Sequence, residues 1–246
     1  MSKATALRAP PANRLLAALP KNEYRRLLPT LEPFPLVFGK VIYEPGDLIR
    51  HVYFPASGII SLLAVVEDRA TLEVGIVGRE GMVGLPVFLG VKTSRNRAVV
   101  RGAGAALRMK ATTYRKECDN GGSLPRLLRR YTHSLLTEVA QGAACNRFHP
   151  TDARLARWLL MTRDRMGADE FQLTQQFLSD MLGVRREGVN KTAGALQKQR
   201  LISYRRGILT TLNRAGLEAV ACQCYGIIKE EYDSFLPKWG RGRTLH

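Results

Sequence analysis

The segment from Phe171 to Lys191 constrains this chain more than any other. It reads as a short helix, a glycine turn and a second helix that opens with arginines, which is how a protein presents a rod to the DNA major groove. Thr174 can cap the first helix by accepting from backbone N–H groups of its first turn. Phe177, Leu178, Met181 and Leu182 then recur at helical spacing and form one apolar face. Gly183 suits the left-handed conformation that ends a helix, and Val184, Val189, Ala193 and Leu196 begin a second apolar stripe. At about 100° per residue, Glu187, Asn190 and Lys191 point away from that stripe, while Arg185 and Arg186 occupy the exposed first turn.

Beyond the second helix, Leu201–Tyr204 and Ile208–Leu212 are rich in β-forming residues around Arg205-Arg206-Gly207, which predicts a tight hairpin, or wing. An ordinary packed helix pair with a solvated hairpin would account for the apolar spacing. It would not account for arginines gathered at both the helix tip and the hairpin. The formal charge of +17 over 246 residues implies a polyanionic partner. The surplus is spread out, however, with 22 basic against 11 acidic side chains up to position 150 and 16 against 10 beyond it. Local placement of the arginines therefore carries the inference.

The front half is of another kind. From about residue 34 to 110, glycines punctuate short runs of β-forming residues: Leu36–Phe38, Val41–Tyr43, Val52–Phe54, Gly58–Val66, Leu72–Val77 and Arg97–Arg101. Such a pattern predicts an antiparallel barrel or sandwich rather than βαβ units. Asn13–Pro20 and Glu23–Leu28 read as small amphipathic helices packed on it, and residues 1–12 as a disordered tail. Between the halves, Ser123 offers a helix cap and Pro125 fits a first turn; Leu124, Leu128, Tyr131, Leu135 and Val139 follow at intervals of three and four. This stripe can pack on the barrel or pair with the same helix of a second copy. The pairing is the expectation taken forward, because two-fold symmetry would set two readers one DNA turn apart. The predicted domains are a sensor over 13–121, a dimerisation helix over 122–146 and a DNA-binding domain over 147–246.

No apolar run approaches the length of a membrane span, and the four cysteines at 118, 145, 222 and 224 show no secretory pattern, so a cytoplasmic setting is expected. An enzyme is not expected either. The four histidines offer no HExxH spacing, no phosphate loop is present, and Gly102-Ala-Gly104 lacks the rest of a dinucleotide fingerprint. At 7% aromatic residues, the stacking platform of a single-strand or RNA binder is not expected.

Taken together, these segments resemble the Crp/Fnr regulators, from about residue 14 to 235. Gly39–Gly46, Val52–Gly58 and Gly78–Gly84 resemble the turns of that family's β-roll. Arg154–Leu160, Leu173–Gly183 and Leu201–Gly207 resemble its winged reader. The resemblance implies an α+β fold: an N-terminal cyclic-nucleotide-binding-type β-roll, a long dimerisation helix and a C-terminal winged helix-turn-helix. It implies a homodimeric transcriptional regulator on a pseudo-palindromic double-stranded site, with RNA polymerase as a further partner. By the same resemblance, Arg186, Glu187 and Lys191 match base-contacting positions, with Asn190 on the same face. Arg186 can give two bonds to guanine, Glu187 can accept from cytosine N4, and Lys191 can donate to guanine or phosphate. Gly188 departs from the hydroxyl residue often found there. Thr174, Gln175, Gln176, Arg185, Arg205 and Arg206 would contact the DNA backbone.

The resemblance also implies what is missing. In the family's nucleotide cassette a glutamate follows a glycine and holds the ribose, and an arginine followed by a small hydroxyl residue holds the phosphate. Here Gly84 is followed by Leu85, and Arg95 and Arg97 flank Asn96, so cyclic AMP is not expected and the cassette reads as degenerate. Glu80, the nearest carboxylate, reads as a turn residue. An iron–sulfur cluster is not expected, since no cysteine precedes Cys118, and haem is not expected, since His51 alone lies in the roll. Cys222-Gln-Cys224 is placed on a C-terminal helix with Leu217, Val220, Ala221, Ile227 and Ile228. There the two thiols would diverge, so no metal is expected. An effector other than a cyclic nucleotide remains open. So does a ligand-responsive interaction module without sequence readout, which competition between duplex and unrelated polyanions would distinguish.

Overall fold

The structure, a computed structural model, describes residues 12–66 and 71–237. The expected tail over 1–12 falls almost wholly outside them. Helix α1 (Arg14–Ala17) is capped by Asn13, whose side chain accepts from Leu16 N and donates to Pro55 O at 3.0 Å and Gly81 O at 2.8 Å. This one buried amide fastens the helix to the roll. Helix α2 (Lys21–Leu27) follows.

The roll consists of β1 (Glu32–Leu36), β2 (Val41–Tyr43), β3 (His51–Pro55), β4 (Ile59–Val65), β5 (Thr71–Val77), β6 (Asn96–Gly102) and β7 (Gly104–Lys110). Two antiparallel sheets result, ordered β1-β7-β3 and β2-β6-β4-β5. Two departures from the sequence reading have physical causes. β1 carries Pro33 and Pro35, which an edge strand tolerates because it need donate on only one side. β7 is built largely from glycine, alanine and leucine, which carry little β signal, yet it is the central strand between β1 and β3. Val52, Phe54, Ile60, Val77, Val100 and Met109 fill the space between the sheets.

Helix α3 (Ala111–Asp119) leads to the long helix α4 (Ser123–Phe148). Ser123 does not cap it. Gly122 holds the cap position at φ 96°, and the first N–H is satisfied from a distance by the Glu23 carboxylate at 3.0 and 3.1 Å. The stripe expected to seal a dimer is correctly apolar, but most of it faces its own chain. Leu124, Leu128 and Tyr131 are buried, Leu135 is half-buried against the roll, and the Tyr131 hydroxyl donates to Met82 O at 3.0 Å. Val139 alone of the five is exposed. Helical periodicity identifies a face to be buried without saying what buries it. The apolar positions of α4 that stay at the surface are Leu136, Val139, Ala140, Ala143, Ala144 and, at its very end, Phe148.

His149 is extended ahead of Pro150, as a residue before proline prefers, and separates α4 from α5 (Thr151–Met166). The remaining elements are β8 (Glu170–Gln172), α6 (Gln175–Leu182), α7 (Arg186–Lys198), β9 (Ile202–Arg205), β10 (Ile208–Thr211), α8 (Arg214–Val220) and α9 (Cys224–Asp233). The sequence reading ran the last two together; the chain breaks between them at Ala221–Gln223. Helix α9 returns to pack on α4, and Asp233 pairs with Arg14 at 2.7 Å. Helix α9 thereby closes onto α1. Among the described residues no helix is long and apolar enough to cross a membrane.

Candidate nucleic-acid interface

Three strands and two helices position the exposed arginines. Helix α6 begins at Thr174, whose hydroxyl accepts from Phe177 N at 3.1 Å, and ends at Gly183 with φ 62°. A side chain at Gly183 would be strained in that left-handed conformation. Phe177, Leu178, Met181 and Leu182 are buried beneath α6, and Val189, Ala193 and Leu196 beneath α7, with Val184 half-buried between. The wing turns at Arg206 and Gly207, both with positive φ (50° and 78°), the conformation of a two-residue type I′ hairpin. Its third strand, β8, is not evident from the sequence, because Phe171 and Gln172 run directly into the segment that reads as the following helix. β8 pairs with β10, placing the latter in the middle of the sheet.

Arg185, Arg186, Glu187, Asn190 and Lys191 are all exposed, as are Thr174, Gln175, Gln176, Arg205 and Arg206. Two hydrogen bonds tie the helix tips together: Arg186 Nη2 donates to Gln176 Oε1 at 2.7 Å, and Gln175 Nε2 donates to Asn190 Oδ1 at 2.8 Å. Arg186 sits in the first turn of α7, where the partial positive charge of the helix end disfavours a cation. Helix stability therefore does not explain Arg185 and Arg186. The same N–H groups and cations suit an approaching phosphate.

The reader domain is docked on the roll by buried polar contacts that sequence reading did not find. Arg165 of α5 donates to Glu138 of α4 at 2.9 and 2.7 Å, lies 3.3 Å from the Glu80 carboxylate, and bonds Ile76 O in β5. Tyr232 of α9 donates to the same Glu138 at 2.9 Å. Burial alone would lower the Arg165 pKa, but Glu138 and Glu80 overturn that and raise it well above the usual value. Burial pushes the Glu80 carboxyl upward, against the pull of Arg165 and the Gly78 N–H. Glu80 is thus a turn residue, accepting from Gly78 N at 3.0 Å, and also an ion-pair partner. A sequence signal existed: Arg165 follows Trp158 and Thr162 on one helical face, and Glu138 falls one heptad after Tyr131.

A second contact joins Trp158 Nε1 of α5 to Glu73 Oε1 of β5 at 2.6 Å, while Ser61 donates to Glu73 Oε2 at 2.5 Å. Glu73 is half-buried as a residue, but its carboxyl end is enclosed, and desolvation raises its pKa to about 7. Arg101 of β6 stacks 4.7 Å from the centre of the Phe177 ring on α6.

At the cassette positions, Gly84 is left-handed (φ 101°), Leu85 is buried in the roll, Arg95 is exposed, and Arg97 pairs with Glu44 at 2.7 Å. Neither arginine is buried in the roll. His51 opens β3 and is half-exposed.

Residues 153–220 match the family model of the Crp-like helix-turn-helix domain. Among solved structures, FixK2 from Bradyrhizobium japonicum is similar, with a TM-score of 0.67 and 17% identity over 78% of this chain and 98% of that one. CLP, a c-di-GMP responsive global regulator of Xanthomonas campestris, has a TM-score of 0.62 and 19% identity over 79% and 100% of the two chains. TTHA1359, a transcriptional regulator of the CRP/FNR family from Thermus thermophilus, has a TM-score of 0.61 and 21% identity over 77% and 98%. At such identities the likeness is one of fold. No curated protein sequence matches the chain.

Proposed function

For a chain with the fold of Crp/Fnr regulators and a Crp-like helix-turn-helix domain, we propose sequence-specific reading of double-stranded DNA by a cytoplasmic homodimer. The observation that carries this reading is the single exposed face of α7, where Arg186, Glu187, Asn190 and Lys191 stand clear of the packed core. Arg186 and Asn190 are already oriented by Gln176 and Gln175, so little side-chain freedom is left to lose on binding. Thr174, Arg185, Arg205 and Arg206 flank that face and suit phosphates on either side of the groove.

Leu136, Val139, Ala140 and Ala143 form an exposed apolar strip at intervals of three and four on α4, through which two copies would pair, each bringing one reader to a pseudo-palindromic site. The roll then serves as a sensor whose ligand is not a cyclic nucleotide: Leu85 cannot accept a ribose hydroxyl, and Arg97 is engaged by Glu44. RNA polymerase is the further partner that a promoter-bound dimer would meet. Selection of duplexes from a random library, followed by titration of the chosen site against a scrambled one, tests the proposal. A two-fold symmetric site bound at least about 1,000-fold more tightly than the scrambled one supports it, and equal affinity refutes it.

A further inference from the structure

Cys145, His149, Cys222 and Cys224 meet where α4 ends and the chain turns from α8 into α9. Cys145 lies in the last turn of α4 and His149 is its C-cap residue. The sequence reading set Cys222 and Cys224 on one helix, where neighbours two apart diverge. The structure removes that objection. Helix α8 stops at Val220, Ala221 is extended (φ −63°, ψ 145°), and Cys224 begins α9, so a turn brings both thiols to one side.

The ligand atoms of all four residues lie within 4.8 Å of one another. Cys145 Sγ is 3.4 Å from Cys222 Sγ, and Cys224 Sγ is 3.6 Å from His149 Nδ1. A tetrahedral zinc ion with its usual bond lengths sets its sulfur and nitrogen ligands roughly 3.5–3.8 Å apart. The two arrangements therefore differ by small side-chain rotations. Cys145 and Cys224 are buried and the other two half-buried, which is the enclosure expected of a structural site rather than of an open catalytic one. Three thiolates and a neutral imidazole around a divalent ion leave one negative charge. Arg154 and Arg157 are close enough for their charges to act on Cys145, and so answer it. A polynuclear iron–sulfur cluster would spread its ligands over several irons, against the tight grouping here.

We infer that Cys145, His149, Cys222 and Cys224 form a mononuclear, tetrahedral binding site for a thiophilic divalent cation, with zinc as the ion it fits best. The consequence is mechanical. The ion would cross-link the end of α4 to the α8–α9 turn, across the His149–Pro150 junction at which the reader domain departs from the long helix.

The test uses the full chain, purified under reducing conditions, with zinc measured per chain and cobalt(II) as a spectroscopic substitute. The inference expects roughly one ion per chain, strong visible absorption of tetrahedral cobalt and a thiolate-to-cobalt charge-transfer band. It expects Cys222→Ser and Cys224→Ser to reduce metal content to background. His149→Cys should keep the ion, and Cys118→Ser should change nothing. Should either serine variant fail to fold, alkylation of the unaltered protein gives the answer: zinc must slow labelling of Cys145, Cys222 and Cys224 but not of Cys118. A folded chain that takes up no zinc or cobalt, a cobalt spectrum without thiolate bands, or equal metal loss in Cys118→Ser would overturn it.

Discussion

Arg165 grips Glu138 with both ends of its guanidinium, at 2.9 and 2.7 Å, and the two side chains are almost wholly enclosed, at 5% and 4% exposure. The pair joins α5 to α4, and Glu80 and Ile76 O extend it to the roll. Replacing Arg165 with leucine would strand two buried carboxylates. A loss of about 3–5 kcal/mol in denaturant-monitored unfolding is expected, because breaking such a pair from one side leaves uncompensated charge. A loss below about 1 kcal/mol would mean that water reaches the site.

Glu73 sets a pH dependence. Its folded pKa of about 7 lies above the unfolded value of 4.5, so the folded chain retains a proton that the unfolded chain releases. Below pH 4.5 both states are protonated and this group adds no slope. Its contribution to stability then falls as pH rises from 4.5 to about 7, and is constant above. Glu73→Gln should flatten that part of the stability profile and leave stability at low pH nearly unchanged. Equal pH slopes for the two proteins would contradict the assignment.

The reader face and its flanks should separate in DNA titrations. Arg186→Ala is expected to cost about 1–3 kcal/mol and to relax preference at one base pair of each half-site. Arg206→Ala at the wing should weaken all duplexes alike and reduce the salt slope by about 1 per subunit. Anisotropy measurements over a salt series, on cognate and substituted sites, distinguish the two outcomes.

Two substitutions on α4 test the proposed dimer surface against the core. Leu136→Glu, on the exposed face, should shift sedimentation from dimer to monomer with little change in monomer folding. Leu128→Ala, on the buried face, should instead cost about 2–5 kcal/mol of stability. Dimers that survive Leu136→Glu unchanged would place the subunit contact elsewhere.

How far the sequence could be read follows from how local each signal is. The cap at Thr174, the stop at Gly183 and the two apolar stripes are decided within a turn or two of helix, and the structure shows each of them. β7 escaped because its residues carry little β propensity and its place is set by the strands on either side. The direction faced by Leu124, Leu128 and Tyr131 escaped for a related reason, since a stripe looks the same whichever surface covers it. Glu138 with Arg165, and Cys145 with Cys222, are far apart in the chain. Only the return of α9 onto α4 brings Cys222 to Cys145 and adds Tyr232 to Glu138.

The bond from Arg165 to the carbonyl of Ile76 has a consequence for communication. It joins the edge strand of the roll to the first helix of the reader in a single step. A ligand that shifted β5 by a fraction of an ångström would tug α5 directly, and the message would arrive without travelling the length of α4.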